Sequence, residues 1–474
     1  MELTEDQFNN DPLGIRYYFE MVDQSGDTVN SGYQYIYKNW VEPDSSLLDI
    51  SQEIIFGTGM GDYQIVSFPY DFDPDEVNVV LKSLPYEGGK TNIKKWRLYH
   101  FDNESQQENE YGEGGFSTLN PGESYWMLVK EQQTILLSGG KTVNMYEGEG
   151  ISIETGWNQV GNPYLFDLNW DDVLAANGNP ADLEGLKVYD RGVWRESSTL
   201  KKYQGGFVKN NGGALELKVP YRATGNEGGR SASARTTGNE GWLLDLAYKS
   251  GLKQLNQQIG IRPGARDGID SYDAHHLPEG REVLSMVFRQ EGARLYRDIR
   301  SDAGLQVWRV ELLNRTGERG QMTWQVPEDM EAGRALMIRQ AGDMKLIDMQ
   351  ETGSLEGMAS SGGSYEIYYG RKEEILARVY EGQVQVGKPY PNPFNDGVMI
   401  PLYLGEEQER GEIQLRMVDM QGRIVFEGRY PVRSGYQEIE LNDIRINTLG
   451  SGIYQVMLQM QEGVNRQLRI IKNQ

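Results

Sequence analysis

One stretch of this chain occurs twice. Tyr63-Gln64-Ile65-Val66-Ser67-Phe68-Pro69-Tyr70-Asp71-Phe72-Asp73 returns as Trp157-Asn158-Gln159-Val160-Gly161-Asn162-Pro163-Tyr164-Leu165-Phe166-Asp167. Val66, Pro69, Tyr70, Phe72 and Asp73 thus recur as Val160, Pro163, Tyr164, Phe166 and Asp167 at one constant offset. Further blocks follow in the same order in each copy. WRLYHFD, from Trp96 to Asp102, matches LKVYD, from Leu186 to Asp190, and LNPGESYWMLVK from Leu119 matches LKKYQGGFVKN from Leu200. Each copy reads strand, short helix or loop (74–84; 170–176), strand, turn, strand. The Pro121-Gly122 pair suits a tight turn feeding the strand that carries Tyr125 and Trp126. A unit of this kind cannot bury its apolar face alone, so two copies, at about 55–148 and 149–222, are expected to pack their aromatic faces together.

Composition narrows the rest. The chain has 474 residues, which suggests three or four domains at about 150 residues each. Its formal charge of −23 argues against nucleic acid and against an anionic membrane surface, since both need a basic patch. Without a cysteine there is no disulfide, thiolate nucleophile or cysteine-bound zinc. The 57 glycines break the chain into short apolar segments, and 28 tyrosines enrich those segments in strand formers, so the expected class is all-β and multidomain. No apolar stretch approaches the ~18 residues of a membrane span. The first residues, MELTEDQFNNDP, are acidic and polar, so a signal peptide is expected upstream of residue 1.

Outside the duplication, residues 1–50 read as the end of a truncated immunoglobulin- or fibronectin-like domain, with strands around Asp23-Gln24-Ser25-Gly26-Asp27. Residues 223–241, rich in Gly, Ser and Thr and repeating Thr-Gly-Asn-Glu-Gly, read as a linker or exposed loop. Residues 242–375 alternate as a β-sandwich, with the strand around 305–312 covered on both faces. The segment IGIRPGARDGIDSYDAHHLPE and the later WQVP and IYYG resemble a sandwich that precedes the sorting domain in many secreted proteins of the class described next.

From 384 to 474 four blocks stand in order: KPYPNPFNDGVMIPLYL, LRMVDMQGRIVFEGRY, LGSGIYQVMLQ and RQLRIIKNQ. Pro391 and Pro393 hold an extended stretch, Met420-Gln421-Gly422-Arg423 makes a hairpin turn, and Gly450-Ser451-Gly452 opens a strand. Together these blocks resemble the type IX secretion sorting domain (type A) of Bacteroidota and relatives. The matching positions are Pro391, Asn392, Pro393, Phe394, Gly422, Gly452 and Tyr454. The resemblance implies passage across the outer membrane through the type IX translocon, then processing by its sorting peptidase and attachment machinery. It thus implies a secreted or cell-surface location. The terminal strand is an expected receptor surface, through strand addition or side-chain contact.

Catalytic signatures are missing from the sequence. There is no HExxH, GxSxG, P-loop or dinucleotide fingerprint in context, and there are three histidines, His100, His275 and His276. With 70 acidic residues, a pair of carboxylates spaced for glycoside hydrolysis is expected by chance. Asp267, Asp270 and Asp273, in a Gly-containing loop before the two histidines, either bind Ca2+ or simply turn the chain. Trp96, Trp126, Trp157, Trp170 and Trp194 either fill cores or line a groove that stacks sugar rings. The reading is therefore a non-enzymatic region of a secreted surface protein, structural or adhesive, with an export signal. Two alternatives stay open: an accessory region of a hydrolase whose catalytic domain lies upstream, holding a glycan or protein substrate, and a carbohydrate-binding module in its own right.

Overall fold

The computed structural model describes residues 15–17, 20–22, 26, 28–30, 34–36, 47–138, 140–143, 149–220, 241–278, 280–380, 384–405, 410–460 and 465–473, and all counts refer to those residues. Near the N-terminus, Ile15–Tyr17 pairs with Gln34–Ile36 and Glu20–Val22 with Thr28–Asn30, both antiparallel. Most of the expected truncated domain, and the linker at 223–240, lie outside the described residues.

The first repeat contains β1 (Leu47–Asp49), β2 (Gln64–Ser67), α1 (Val77–Val80), β3 (Trp96–Asp102), β4 (Gln107–Glu110), β5 (Ser124–Val129) and β6 (Leu136–Ser138). The second contains β7 (Glu149–Ile153), β8 (Gly156–Gly161), α2 (Trp170–Ala176), β9 (Lys187–Asp190), β10 (Val193–Glu196), β11 (Gly205–Asn210) and β12 (Leu215–Val219). The two copies share one topology. A four-stranded sheet runs β4-β3-β5-β2 in the first and β10-β9-β11-β8 in the second, and a separate antiparallel pair closes each, β1 with β6 and β7 with β12. Leu47–Asp49 and buried Ile50 thus belong to the first repeat rather than to the segment before it.

Each repeat has its own core, holding Phe68, Trp96 and Tyr125 in one and Tyr164, Trp170 and Leu186 in the other. A third cluster lies between the sheets and unites Tyr63, Ile65, Tyr99 and Trp126 with Trp157, Tyr189, Trp194 and Phe207. Alternation along each strand sends one set of side chains to the inner core and the next to this interface. Register refines the sequence match. Trp126 stands opposite Tyr99, whereas Phe207 stands opposite Lys187, so β9 is displaced by two residues from the alignment that equates Tyr99 with Tyr189. A shift of two keeps every side chain on its face, which is why the pattern still matched.

Residues 242–371 form β13 (Trp242–Ser250), β14 (Lys253–Ile261), β15 (Ala274–His275), β16 (Leu284–Gln290), β17 (Ala293–Arg300), β18 (Gln306–Asn314), β19 (Gly320–Trp324), β20 (Arg334–Gln340), β21 (Ile347–Asp348), β22 (Ser354–Met358) and β23 (Gly362–Arg371). They hydrogen-bond into one eleven-stranded sheet ordered β21-β20-β23-β18-β16-β17-β14-β13-β19-β22, with β15 beside β17. The ladder is continuous and folds over on itself, so that Trp242 in β13 meets Tyr369 in β23, five strands away in the order, with ring centroids 4.9 Å apart across a core including Tyr248, Phe288 and Trp308. In β18, Trp308, Val310 and Leu312 face that core while Arg309 is exposed, so the strand is fully covered on one face only. The helix α3 (Lys372–Val379) and its neighbours half-cover the other face, with Ile375 and Val379 packed on Ala335, Met337 and Tyr368.

The C-terminal sandwich has β24 (Val384–Val386), β25 (Val398–Leu404), β26 (Arg410–Val418), β27 (Ile424–Arg433), β28 (Gly435–Leu441), β29 (Gly452–Met460) and β30 (Asn465–Lys472). Its sheets are β24-β25-β28 and β27-β26-β29-β30, around Ile400, Leu402, Leu415, Met417 and Val456. It meets the preceding unit through Tyr403, stacked on Tyr380 with centroids 3.8 Å apart. The chain is all-β in class and built from several cores.

Candidate functional site

The five tryptophans proposed to stack sugars are all buried. Trp96 and Trp170 are 1% exposed, Trp126 4%, and Trp157 and Trp194 9%. Trp96 and Trp170 each sit in the core of one repeat, and Trp126, Trp157 and Trp194 lie between the repeats. Trp126 meets Trp194 edge-on at 82°, so these rings pack together instead of presenting a shared flat face. Burial corrects the sugar-stacking assignment for all five.

The aspartate loop uses its carboxylates internally. Asp267 accepts from Ser301 Oγ and Gln306 Nε2, Asp270 from the N–H of Arg266 and Tyr272, and Asp273 from the N–H of Asp270 and Ile299. Five N–H groups and a hydroxyl donate to these three carboxylates, the pattern of a turn closed by its own side chains. Burial pushes the Asp273 carboxyl up to about 6. Among the described residues no three His, Asp or Glu side chains converge to hold a metal ion.

The three histidines make contacts within the fold. The His100 ring packs against Phe116 and Tyr125 with centroids at 5.5 and 5.2 Å. His275 Nδ1 meets Glu184 Oε1 at 2.7 Å, and its N–H donates to Glu184 Oε2 at 2.8 Å. His276 is buried beside the Leu277 carbonyl. A groove of about 430 Å³ beside Lys94, Lys95, Trp96 and Lys130 has no carboxylate or histidine in its lining.

The C-terminal motif forms one connected structure. The 391–394 segment lies along the outer edge of β30, the last strand. Asn392 Oδ1 accepts the N–H of Ile471 at 2.8 Å, and its Nδ2 donates to the carbonyl of Arg469 at 3.1 Å. The Phe394 N–H donates to Ile471 O at 2.9 Å, and Asn473 N–H returns to Phe394 O at 2.8 Å. The Phe394 ring is 1% exposed and fills the core. The Lys472 ammonium lies 5.4 Å from its centroid and donates to the Asn395 carbonyl. Pro391 and Pro393 flank Asn392, and both are exposed with it.

The other two blocks are local devices. Asp419 Oδ1 accepts from the N–H of Gln421 and Arg423 at 2.9 and 3.0 Å, closing a turn in which Gly422 has φ +79°. That left-handed backbone is the reason for glycine there. A Cβ at Gly452 would meet only Tyr454, at 3.8 Å, so packing does not demand glycine at that position. Tyr454 is buried, and its hydroxyl donates to Gly450 O at 2.7 Å. Asp419, Lys472 and the backbone of Arg469 and Ile471 complete the arrangement, and the sequence reading did not single them out. Asp419 stands in the LRMVDMQGRIVFEGRY block and the other three in RQLRIIKNQ, two of the blocks that carry the resemblance.

Residues 388–473 match the family model described as the secretion system C-terminal sorting domain. No curated protein matches the chain. Among solved structures, a polysaccharide lyase aligns with 50% of this chain and 40% of its own length, at 10% identity and TM-score 0.19. The alignment thus spans less than half of that lyase. The C-terminal sandwich of this chain, with its interlocked motif and terminal strand, is a type IX secretion system C-terminal sorting domain.

Proposed function

We propose that the chain is a non-catalytic region of a secreted surface protein, in which residues 47–380 act as a rigid spacer or adhesive scaffold and residues 388–473 bring it to the cell exterior. The sorting domain implies engagement with the type IX machinery and secretion to the surface. The observation that carries the scaffold reading is the burial of the duplicated module's aromatic face between its own two sheets. Rings used in this way stiffen the module and leave no flat aromatic platform for a glycan. Asp267, Asp270 and Asp273 are likewise engaged in a turn, and His275 is paired with Glu184.

The test is a set of fusions in type IX-competent cells. Residues 384–474 appended to a periplasmic reporter should send it to the surface, and residues 47–380 alone should not. Purified 47–380 should show no turnover on a panel of polysaccharides and peptides. Turnover that vanishes on point mutation within 47–380 would overturn the non-catalytic reading.

A further inference from the structure

The loop joining β14 to β16 carries one side chain out of its own unit and into the duplicated module. Arg281 places its guanidinium carbon 4.7 Å from the ring centroid of Tyr63, 4.8 Å from Tyr99 and 4.7 Å from Trp126. Its Nη1 and Nη2 donate to the two oxygens of Glu108 at 2.6 and 2.5 Å. Its carbonyl accepts the Tyr189 hydroxyl at 2.5 Å, and two residues on, the Val283 N–H donates to Gly192 O at 2.7 Å. The guanidinium side chain keeps 17% of its exposure.

We propose that Tyr63, Tyr99, Trp126 and Glu108 form a guanidinium receptor in the first repeat, that Arg281 is its resident ligand, and that this contact couples the duplicated module to the eleven-stranded unit. Ring geometry discriminates the ligand class. Tyr63 is inclined 81° to Trp126 and 50° to Tyr99, so the rings make the walls of a box and not a platform. A flat sugar face is not satisfied by a box with a carboxylate at one side. A planar, weakly hydrated cation is: its faces meet the rings while its edge takes the carboxylate in two parallel bonds. An ammonium lacks the fork and satisfies only part of this arrangement.

The second repeat cannot build the same receptor. Tyr99, opposite Trp126 in the ladder, is replaced at the corresponding position opposite Phe207 by Lys187, a cation that would repel another. The receptor is therefore a departure from the twofold likeness of the repeats, located where the third unit docks.

The experiment uses the full 474-residue chain. Arg281→Ala should lower the thermal midpoint, and ethylguanidinium should restore it saturably at roughly millimolar concentration. Ethylammonium at equal ionic strength should restore much less, and adding Glu108→Ala should abolish the rescue. Rescue that is unsaturable, equal for the two cations, or retained without Glu108 overturns the proposal. Should Arg281→Ala fail to fold, Arg281→Lys and Glu108→Gln are combined in a double-mutant cycle. Coupling of about tenfold in the unfolding equilibrium is expected, and independent effects would overturn the proposal.

Discussion

Ser67 donates its backbone N–H to the carbonyl of Tyr203 at 3.0 Å, joining the first repeat to the second. The reciprocal bond runs from Gly161 to the carbonyl of Gly122 at 2.8 Å. Gly161 is the repeat counterpart of Ser67, and Gly122 that of Tyr203, so a contact from one copy to the other is repeated in reverse. This is the signature of a twofold, self-complementary interface, here within one chain. Close approach is what allows it: a Cβ at Gly161 would lie 2.0 Å from Glu123 O, and one at Gly205 would lie 2.2 Å from Ser124 Cβ.

Gly161→Ala should therefore destabilise the duplicated module by about 2–3 kcal/mol, because the obstructing atom is backbone and cannot rotate away. Denaturant unfolding of the module should show an earlier midpoint. An alanine at Gly213, where nothing lies within 4 Å, serves as the neutral control.

All eight tryptophans of the described residues are buried, so a fragment of residues 47–474, which carries those eight alone, should show blue-shifted steady-state emission protected from acrylamide. Trp96→Ala or Trp170→Ala should cost about 3–5 kcal/mol. If either instead lowered affinity for a glycan while leaving stability intact, the scaffold reading would lose its support.

The His276 imidazole is held down to about 3 by burial, with the charges of Arg294 and Lys187 adding to it. Its folded value lies below its unfolded one of about 6.5, so stability is present above pH 6.5 and is lost as pH falls toward 3. The slope reaches at most about 1.4 kcal/mol per pH unit. Asp273, pushed up to about 6, opposes this between pH 3.8 and 6, so the comparison is wild type against His276→Gln. The His276 ring signal should remain that of neutral imidazole at pH 5 by NMR, and a midpoint near 6.5 would contradict the account.

Asn392→Ala removes both side-chain bonds to the last strand and should cost about 1 kcal/mol, since the site is exposed. Hydrogen exchange at Ile471 should accelerate while exchange in β26 stays slow. Phe394→Ala, which empties a core position, should cost about 3–5 kcal/mol and lower secretion further.

The duplication was legible in sequence because rings that repeat, such as Tyr70/Tyr164 and Phe72/Phe166, fill the core of their own copy. The sorting domain was legible because its motif residues act locally: Gly422 sets a turn and Phe394 fills a core. What stayed hidden depends on long-range docking. Nothing in the sequence around Arg281 signals that its partner is Glu108, and an alternating pattern does not give the order in which eleven strands pair. The tryptophans posed the same problem, since a ring that fills an interface and a ring that stacks a sugar are spelled alike.

The most direct measurement of the central claim is surface localisation of the chain, fused to a cleavable leader that carries it into the periplasm, with and without residues 388–473 in type IX-competent cells, read by protease accessibility on intact cells. The full chain should be cleaved at the surface, and the truncated chain should remain protected, folded and soluble in the periplasm. Surface exposure of the truncated chain, or retention of the full one, would contradict the assignment of export to this domain.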